Sequence, residues 1–342
     1  MKPQSSLSVL IPNYNHALCL PESLGAILSQ SYCPLEIIVA DDASTDNSIE
    51  VLESFAKKYK IIRIVKNKRN LGAVGNANKL LELAKGKYVY FASADDRVIP
   101  GFFEQSIKML EQYPHAGLCS GLAQLMNESG IDKGLYRSRI ISAKSSFFPP
   151  DQCLKMLQKH GNWMVGCTLI FQRQALLDAN GFIADLGPYV DGFSQQVVAL
   201  RLGACFIPKP LAYWRRTESG YSVTQGRDIE MHLKRIDSMI NLMSTTYREL
   251  FPYEYIKKYE YECLFGVGVE VGRNFQLDQS ISAEHYRRVL SPINFLDQLV
   301  LQEQKINVKI HTWVITLYLF LRRRKVTLEM FWRFVRRLVR II

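Results

Sequence analysis

Two pairs of adjacent aspartates are the residues of this 342-residue chain best placed to do chemistry. Leu35 to Ala40 is an apolar run that empties into Asp41-Asp42, and Tyr88 to Ala92 runs through Ser93-Ala94 into Asp95-Asp96. Short apolar runs bounded in this way read as buried strands, so each pair occupies the loop at a strand's carboxyl end. In open α/β sheets those loops form the ligand crevice. Two acidic clusters delivered there by different strands can face one pocket, and such a pocket suits a hydroxyl-rich ligand and a metal ion.

The elements that must position these pairs follow from the periodicity. Leu7–Ile11 is a short apolar run, Pro21–Ser29 reads as a helix, Leu35–Ala40 as a strand, and Asp46–Lys58 as a helix capped by Ser44 or Thr45. The alternation continues with strand Ile61–Val65, helix Val74–Ala84, strand Tyr88–Ala92, helix Pro100–Gln112 and strand Ala116–Leu122. Strands and helices alternating at this spacing imply a largely parallel sheet with helices on both faces. After an irregular stretch from Asn127 to Pro150, the runs Val165–Phe171 and Ala204–Ile207 read as later strands of the same sheet. From about Asp228 the strand signals stop. Segments 229–250, 255–275, 282–302 and 306–340 all read as helical, with Pro252 and Pro292 between them.

Composition sets the broad class. At 48% hydrophobic the chain can bury a full core, and its length implies one large domain with an extension. Seven cysteines are spread singly, with no C-x-x-C spacing, which points to free thiols in a reducing compartment. The N-terminal apolar run is too short for a signal peptide, so the reading is a cytoplasmic start. The net charge is +11, but residues 322–342 hold eight cations against one anion, a net +7 that leaves +4 for the first 321 residues. Without a basic stripe, zinc-finger or RNP-like motif in those 321, nucleic acid is not an expected partner.

Four blocks in order, LSVLIPNYNH, EIIVADDASTDNS, NLGAVGNANKLLELAKGKYVYFASADDRVIP and GPYVDGFSQQVVALRLG, resemble a family-two glycosyltransferase of the GT-A fold over about residues 5–225. The resemblance implies a domain of residues 1–227 that binds a nucleotide-sugar donor and carries catalysis, followed by a helical extension over 228–305 and basic amphipathic helices over 306–342. It implies that the loop of Pro12, Tyr14 and Asn15 meets the nucleobase, and that Asp41 and Asp42 take base N–H groups or ribose hydroxyls. Asn70 and Gly72 open a helix whose free N–H groups can receive phosphate oxygens. Asn78 matches a recurrent family asparagine, with Ala77 where many relatives have arginine.

In the same reading Ser93-Ala94-Asp95-Asp96 stands at the family's D-x-D. Asp95 is the metal carboxylate with Asp96 close behind it, Ser93 stands where an aspartate usually holds the ribose, and the cofactor is Mn2+ or Mg2+. Asp191 is the expected base of an inverting transfer, in a motif whose first acid is replaced by Val190. Arg215 or Arg216 would neutralise phosphate charge, and Trp163 would either stack on an acceptor sugar or pack in the core. The implied donor is a UDP-sugar, the acceptor a glycan or lipid-linked glycan, and the setting bacterial surface glycan assembly. A non-catalytic sugar-nucleotide or glycan-binding relative stays open, because Ser93, Ala77 and Val190 each depart from the pattern.

The tail adds a second signal. Residues 311–321 are apolar but too few to span a bilayer. In 328–342, Arg333, Arg336, Arg337 and Arg340 recur at helical spacing opposite Leu328, Phe331, Phe334, Val335, Leu338 and Ile342. This pattern suits either a helix lying on the anionic inner face of the cytoplasmic membrane or one packed on the core or a second subunit.

Overall fold

The structure, a computed structural model, describes residues 6–136, 139–217 and 228–273. Its core is a ten-stranded sheet. The strands are β1 (Leu7–Asn13), β2 (Glu36–Asp41), β3 (Ile62–Lys66), β4 (Tyr88–Phe91), β5 (Arg97–Val98), β6 (Leu118–Met126), β7 (Asp132–Leu135), β8 (Ser146–Phe148), β9 (Ile170–Gln172) and β10 (Ala204–Arg215). They run in the order β3-β2-β1-β4-β9-β6-β10-β5, with β7 on β6 and β8 on β10. The longer strands pair in parallel, β1 with β2 and β4, β2 with β3, and β6 with β10. The short strand β9 is antiparallel to both β4 and β6, so β4, β6 and β10 point the same way. All the long strands therefore release their carboxyl ends along one edge.

Local sequence explains the packing. β1 is buried along nearly its whole length and β2 likewise, as expected of parallel strands covered on both faces. The covering helices are α1 (Leu20–Leu28), α2 (Ser48–Lys58), α3 (Gly72–Leu83), α4 (Phe102–Gln112), α5 (Pro150–His160), α6 (Arg173–Asp178) and α7 (Val190–Leu202). Pro21 sits in the first turn of α1 and Pro150 opens α5, both where a missing N–H is harmless. Tyr90 of β4 meets the edge of Phe102 at 5.0 Å between ring centres and also packs on Phe103, seating α4 on the sheet. Its hydroxyl donates to the Cys167 carbonyl at 3.0 Å. The strand that ends at the second aspartate pair is thus held from both sides.

Apart from the two-residue β5, the order of α/β elements through β6 follows the periodicity, and several later features do not. Val165–Phe171 forms a 3-10 turn at Gly166–Thr168 before the antiparallel β9. The signal at Ala204–Ile207 extends to Arg215 because β10 passes Pro208 and Pro210 with register shifts against β6 that accommodate the missing donors. The helix expected at Gln195–Leu202 begins at Val190, which puts Asp191 in its first turn.

Beyond Asp228 there are two described helices, α8 (Ile229–Ser244) and α9 (Tyr253–Arg273). They form a unit of their own in which Leu233, Ile236, Met239 and Met243 make a buried stripe and the Tyr259 hydroxyl reaches the Met239 sulfur at 3.4 Å. Residues Thr245–Phe251 group instead with the α/β unit. Sequence periodicity carries a helix on to Leu250, but the chain breaks after Ser244, and Tyr247 and Phe251 both pack on Phe193 of α7. The expected helices over 282–302 and 306–340, with their basic face, lie outside the described residues. No described helix is long and apolar enough to cross a membrane. Phe102→Ala should lower unfolding free energy by about 3–5 kcal/mol in chemical denaturation, because it empties the contact that seats α4 on β4.

Candidate active site

The first aspartate pair is built into a network. Asp41, the last residue of β2, accepts the Ser44 N–H at 3.0 Å on one oxygen and, on the other, the Ser44 hydroxyl at 2.6 Å and the Asn13 amide at 2.8 Å. Both of its oxygens are therefore occupied. Asp42 accepts the Asn67 amide at 2.7 Å and the Leu71 N–H at 2.9 Å, both on Oδ1, and its own N–H donates to the Asn13 carbonyl at 2.8 Å. Its Oδ2 has no protein partner among the described residues. Behind it Asn67 is held by Asn76 and by the Lys79 ammonium at 2.6 Å, and Asn76 donates to the Ala40 carbonyl. Buried carboxylates must be paired or hydrogen-bonded, and this network meets that requirement at both positions.

The neighbouring loop is stitched to the same place. Pro12 lies two residues beyond Leu10, the last β1 residue paired with β4, so its missing N–H costs nothing. Asn15 takes φ 58°, and its side-chain oxygen accepts the Thr45 N–H at 2.7 Å while its N–H donates to the Ser44 hydroxyl. Tyr14, between Pro12 and Asn15, is 44% exposed. Asn70 accepts the Gly72 N–H at 2.8 Å, and Gly72 takes φ 77°, a local turn that opens α3. Asn78 is employed differently from the expectation. Its amide donates to the Phe182 carbonyl at 2.7 Å and its oxygen accepts the Phe182 N–H at 2.9 Å, so the side chain clips α3 to the segment leading to α7.

The second pair divides more sharply. Asp96 is buried and accepts the Arg215 N–H at 2.8 Å. Burial and the adjacent Asp95 push its carboxyl well above the usual range, with Arg215 opposing. Asp95 is half-buried and its carboxylate makes no hydrogen bond or ion pair among the described residues. Ser93 is exposed, and its carbonyl accepts from Ser23 of α1. Among the described residues no three metal-ligating side chains converge. A hard cation that binds through one or two carboxylates and completes its shell with water and substrate phosphate fits the open Asp95 oxygens.

Asp191, in the first turn of α7, keeps access to solvent while protein atoms crowd around it. Desolvation by those atoms raises its carboxyl from the ordinary value, against the N–H of Gly192, which donates at 2.7 Å. The crowding is visible at Gly166, where an added Cβ would lie 2.6 Å from Asp191 Oδ2. The neighbouring Cys167 thiol is pushed well up by burial, then by the charges of Asp96, Asp191 and Asp95. The three carboxylates, from two ends of the sheet's sequence, thus share one neighbourhood.

Two expected contacts are relocated. Arg215 is only 6% exposed, and four of its five N–H donors are used within the protein, on the carbonyls of Asp95 (2.7 Å), Asn127 and Glu128 and on the Glu22 carboxylate. Its guanidinium has no face left for a diphosphate, whereas Arg216 is exposed over the Trp214 ring. Trp163 is 1% exposed between Phe148 and Phe206, which leaves no face for a sugar. Reading the sequence missed Glu22, Asn67, Asn76, Lys79 and Gly166. Only Glu22 carried a signal, as an acid in the first turn of a helix, and that signal points to the helix dipole and not to an arginine 193 residues away.

A parallel sheet that brings acidic corners from β2 and β4 to one edge, with a carboxylate in the first turn of a later helix facing them, defines an enzyme of the GT-A fold. A model of glycosyl transferase family 2 matches residues 8–177. An uncharacterized glycosyltransferase of Haemophilus influenzae is 30% identical over 229 residues, 64% of this chain and 69% of that protein. S. aureus TarS 1-349 in complex with UDP-GlcNAc superposes with a TM-score of 0.61 at 16% identity, over 84% of this chain and 79% of that one. The mannosyltransferase PcManGT of Pyrobaculum calidifontis, in complex with GDP-Man and Mn2+, gives 0.54 at 18% identity, over 93% and 86%. The chain belongs to glycosyl transferase family 2 and is a glycosyltransferase. Asn78→Ala should reduce stability by about 1–3 kcal/mol in denaturant titrations, by stranding the Phe182 N–H and carbonyl, with donor KM little changed. A raised donor KM at native stability would make Asn78 a nucleotide contact instead.

Proposed function

We propose that this enzyme transfers one sugar from a UDP-sugar to an acceptor hydroxyl of a glycan with inversion at the anomeric carbon, using Asp95 to hold a divalent cation and Asp191 as the base. The observation that carries this reading is the placement of Asp191. Its carboxylate is open to solvent, is held against Gly166, and stands in the same neighbourhood as Asp95 and Asp96. An attacking hydroxyl needs a carboxylate on the face away from the departing diphosphate, and a base with a raised affinity for protons suits that task. As the acceptor oxygen bonds to the anomeric carbon, the bond from that carbon to the diphosphate breaks. The leaving oxygen keeps the electron pair, and the hydroxyl proton passes to Asp191.

A bound Mn2+ or Mg2+ supplies positive charge that stabilises the diphosphate as it leaves. At the other end of the donor, Asp42 Oδ2 is the oxygen left to accept the ring N–H of uracil, and the exposed ring of Tyr14 offers a stacking face beside it. Asp41, with both oxygens engaged, fixes the loop and does not read the ligand. Ser93 offers a hydroxyl to the ribose, and the exposed Arg216 is the cation placed to meet phosphate charge. The UDP-GlcNAc bound to S. aureus TarS and the Mn2+ bound to PcManGT support these choices by likeness of fold.

Incubation with UDP-, GDP- and TDP-sugars plus Mn2+ should release nucleotide from a UDP-sugar. Binding without turnover of any donor would refute catalysis and leave a sugar-nucleotide-binding relative. Asp191→Asn should lower kcat by about 10^2–10^4-fold with donor KM nearly unchanged. The acid limb of the native kcat/KM profile should lie above the ordinary carboxylate value of 3.8 and be absent from the variant. A carboxyl with a raised folded value stabilises the fold only in its protonated form, and that contribution is lost as pH rises through it. At neutral pH Asp191→Asn should therefore melt no lower than the native enzyme, and a lower Tm at pH 7 would contradict this account. Gly166→Ala should displace the Asp191 carboxylate and reduce kcat, again at near-native Tm.

A further inference from the structure

The ion-pair cluster joined to the second aspartate pair, with Arg215 buried and Glu22 and Arg97 half-buried, serves neither the donor nor the sheet ladder. Glu22, in the first turn of α1, accepts from Arg97 at 2.6 Å on one oxygen and from Arg215 on the other. The Arg97 guanidinium also stacks on Tyr213 of β10 at 4.4 Å. Arg215 ends β10, and its side chain reaches three peptide carbonyls, that of Asp95 and those of Asn127 and Glu128 in the turn between β6 and β7. Its own N–H closes the cluster on Asp96 Oδ1. Four separate pieces of chain meet at one guanidinium.

This arrangement has a directional consequence for the aspartate corner. Asp96 is turned inward by the Arg215 N–H, and the Asp95 carbonyl is turned inward by the Arg215 Nε–H. With the Asp96 carboxylate and the Asp95 carbonyl both engaged by Arg215, the Asp95 carboxylate is the group of this corner left without a protein partner among the described residues. A lysine cannot reproduce the pattern, because it lacks the planar fork that serves Asp95, Glu22 and the β6–β7 turn at once.

We propose that Arg215, braced by Glu22, is a positioning residue that fixes the Asp95–Asp96 corner so that the Asp95 carboxylate faces outward for a divalent cation. The inference rests on the reading of Asp95 as cation ligand. Residues that orient a metal ligand without touching the metal usually matter about 10–100-fold in metal affinity. Arg215 thus acts on the cation through Asp95 and not on the diphosphate.

The test uses the full chain and three variants, Arg215→Ala, Arg215→Lys and Glu22→Gln. Glu22→Gln keeps the shape and removes the brace should Arg215→Ala fail to fold. Mn2+ binding in the presence of UDP is read by electron paramagnetic resonance, and hydrogen exchange is read on peptides covering 93–97 and 127–130. Arg215→Ala should weaken Mn2+ binding about 10–100-fold, Arg215→Lys should not restore it, and added methylguanidinium should recover part of it. Glu22→Gln should weaken binding in the same direction, and exchange in the two peptides should rise together. Mn2+ binding by Arg215→Ala equal to that of the unaltered chain overturns the role of Arg215. So does a loss confined to donor KM, which would make the guanidinium a diphosphate ligand. Failure of the unaltered chain itself to bind Mn2+ with UDP overturns the reading of Asp95.

Discussion

The site depends on the parallel alignment of β1, β2 and β4, because that alignment alone sends three loops from distant parts of the sequence to one edge of the sheet. Register fixes it residue by residue: Pro12 stands beside Ala40, Asn13 beside Asp41, and Leu10 beside Phe91. A slip of one residue in any of these strands would turn its acids toward the opposite face. The apolar strand interiors, buried on both faces, make such slips costly. Hydrophobic patterning that shows no chemistry of its own therefore sets where the chemistry occurs.

Within that frame the five aspartates behave as individuals. Asp41 is hydrogen-bonded on both oxygens, Asp42 and Asp96 bond through Oδ1 only, the half-buried Asp95 carboxylate has no partner among the described residues, and the exposed Asp191 accepts one neighbouring N–H. The distinction comes from whether a donor waits behind each oxygen. Ser44, Asn13 and Asn67 serve the first corner, Arg215 serves the second, and the crowding at Gly166 works on Asp191 without satisfying it. Desolvation raises proton affinity at Asp96 and Asp191, where a single backbone N–H at each only partly opposes it. Residue type alone cannot separate these outcomes.

Legibility in the sequence follows the same division. The order of strands and helices through β6 was readable because parallel strands write themselves as continuous apolar runs. The short strands β5, β7 and β8 have no such runs, and Pro208 and Pro210 disguised the far half of β10. The positions of Asp41, Asp42, Asp95, Asp96 and Asp191 on loops and helix starts were readable from flanking elements. The separate fates of Asn78, Arg215 and Trp163 were not, since each is decided by a partner roughly a hundred residues away or, for Trp163, by aromatic neighbours on both sides. Sequence likeness transfers a residue's address more safely than its hydrogen bonds.

The hydrogen-bonded network at the end of β2 has a consequence for how a ligand would be met. Asn13, Asn15, Ser44, Asn67 and Leu71 lock the loops after β1, β2 and β3 to one another through hydrogen bonds that need no ligand. The conformational entropy of these loops is thus surrendered when the chain folds and not when a nucleotide arrives. Under the proposed function, a nucleobase would meet loops that are already fixed. Loops so fixed would refuse a base of the wrong outline, since they would have little freedom left with which to adapt to one.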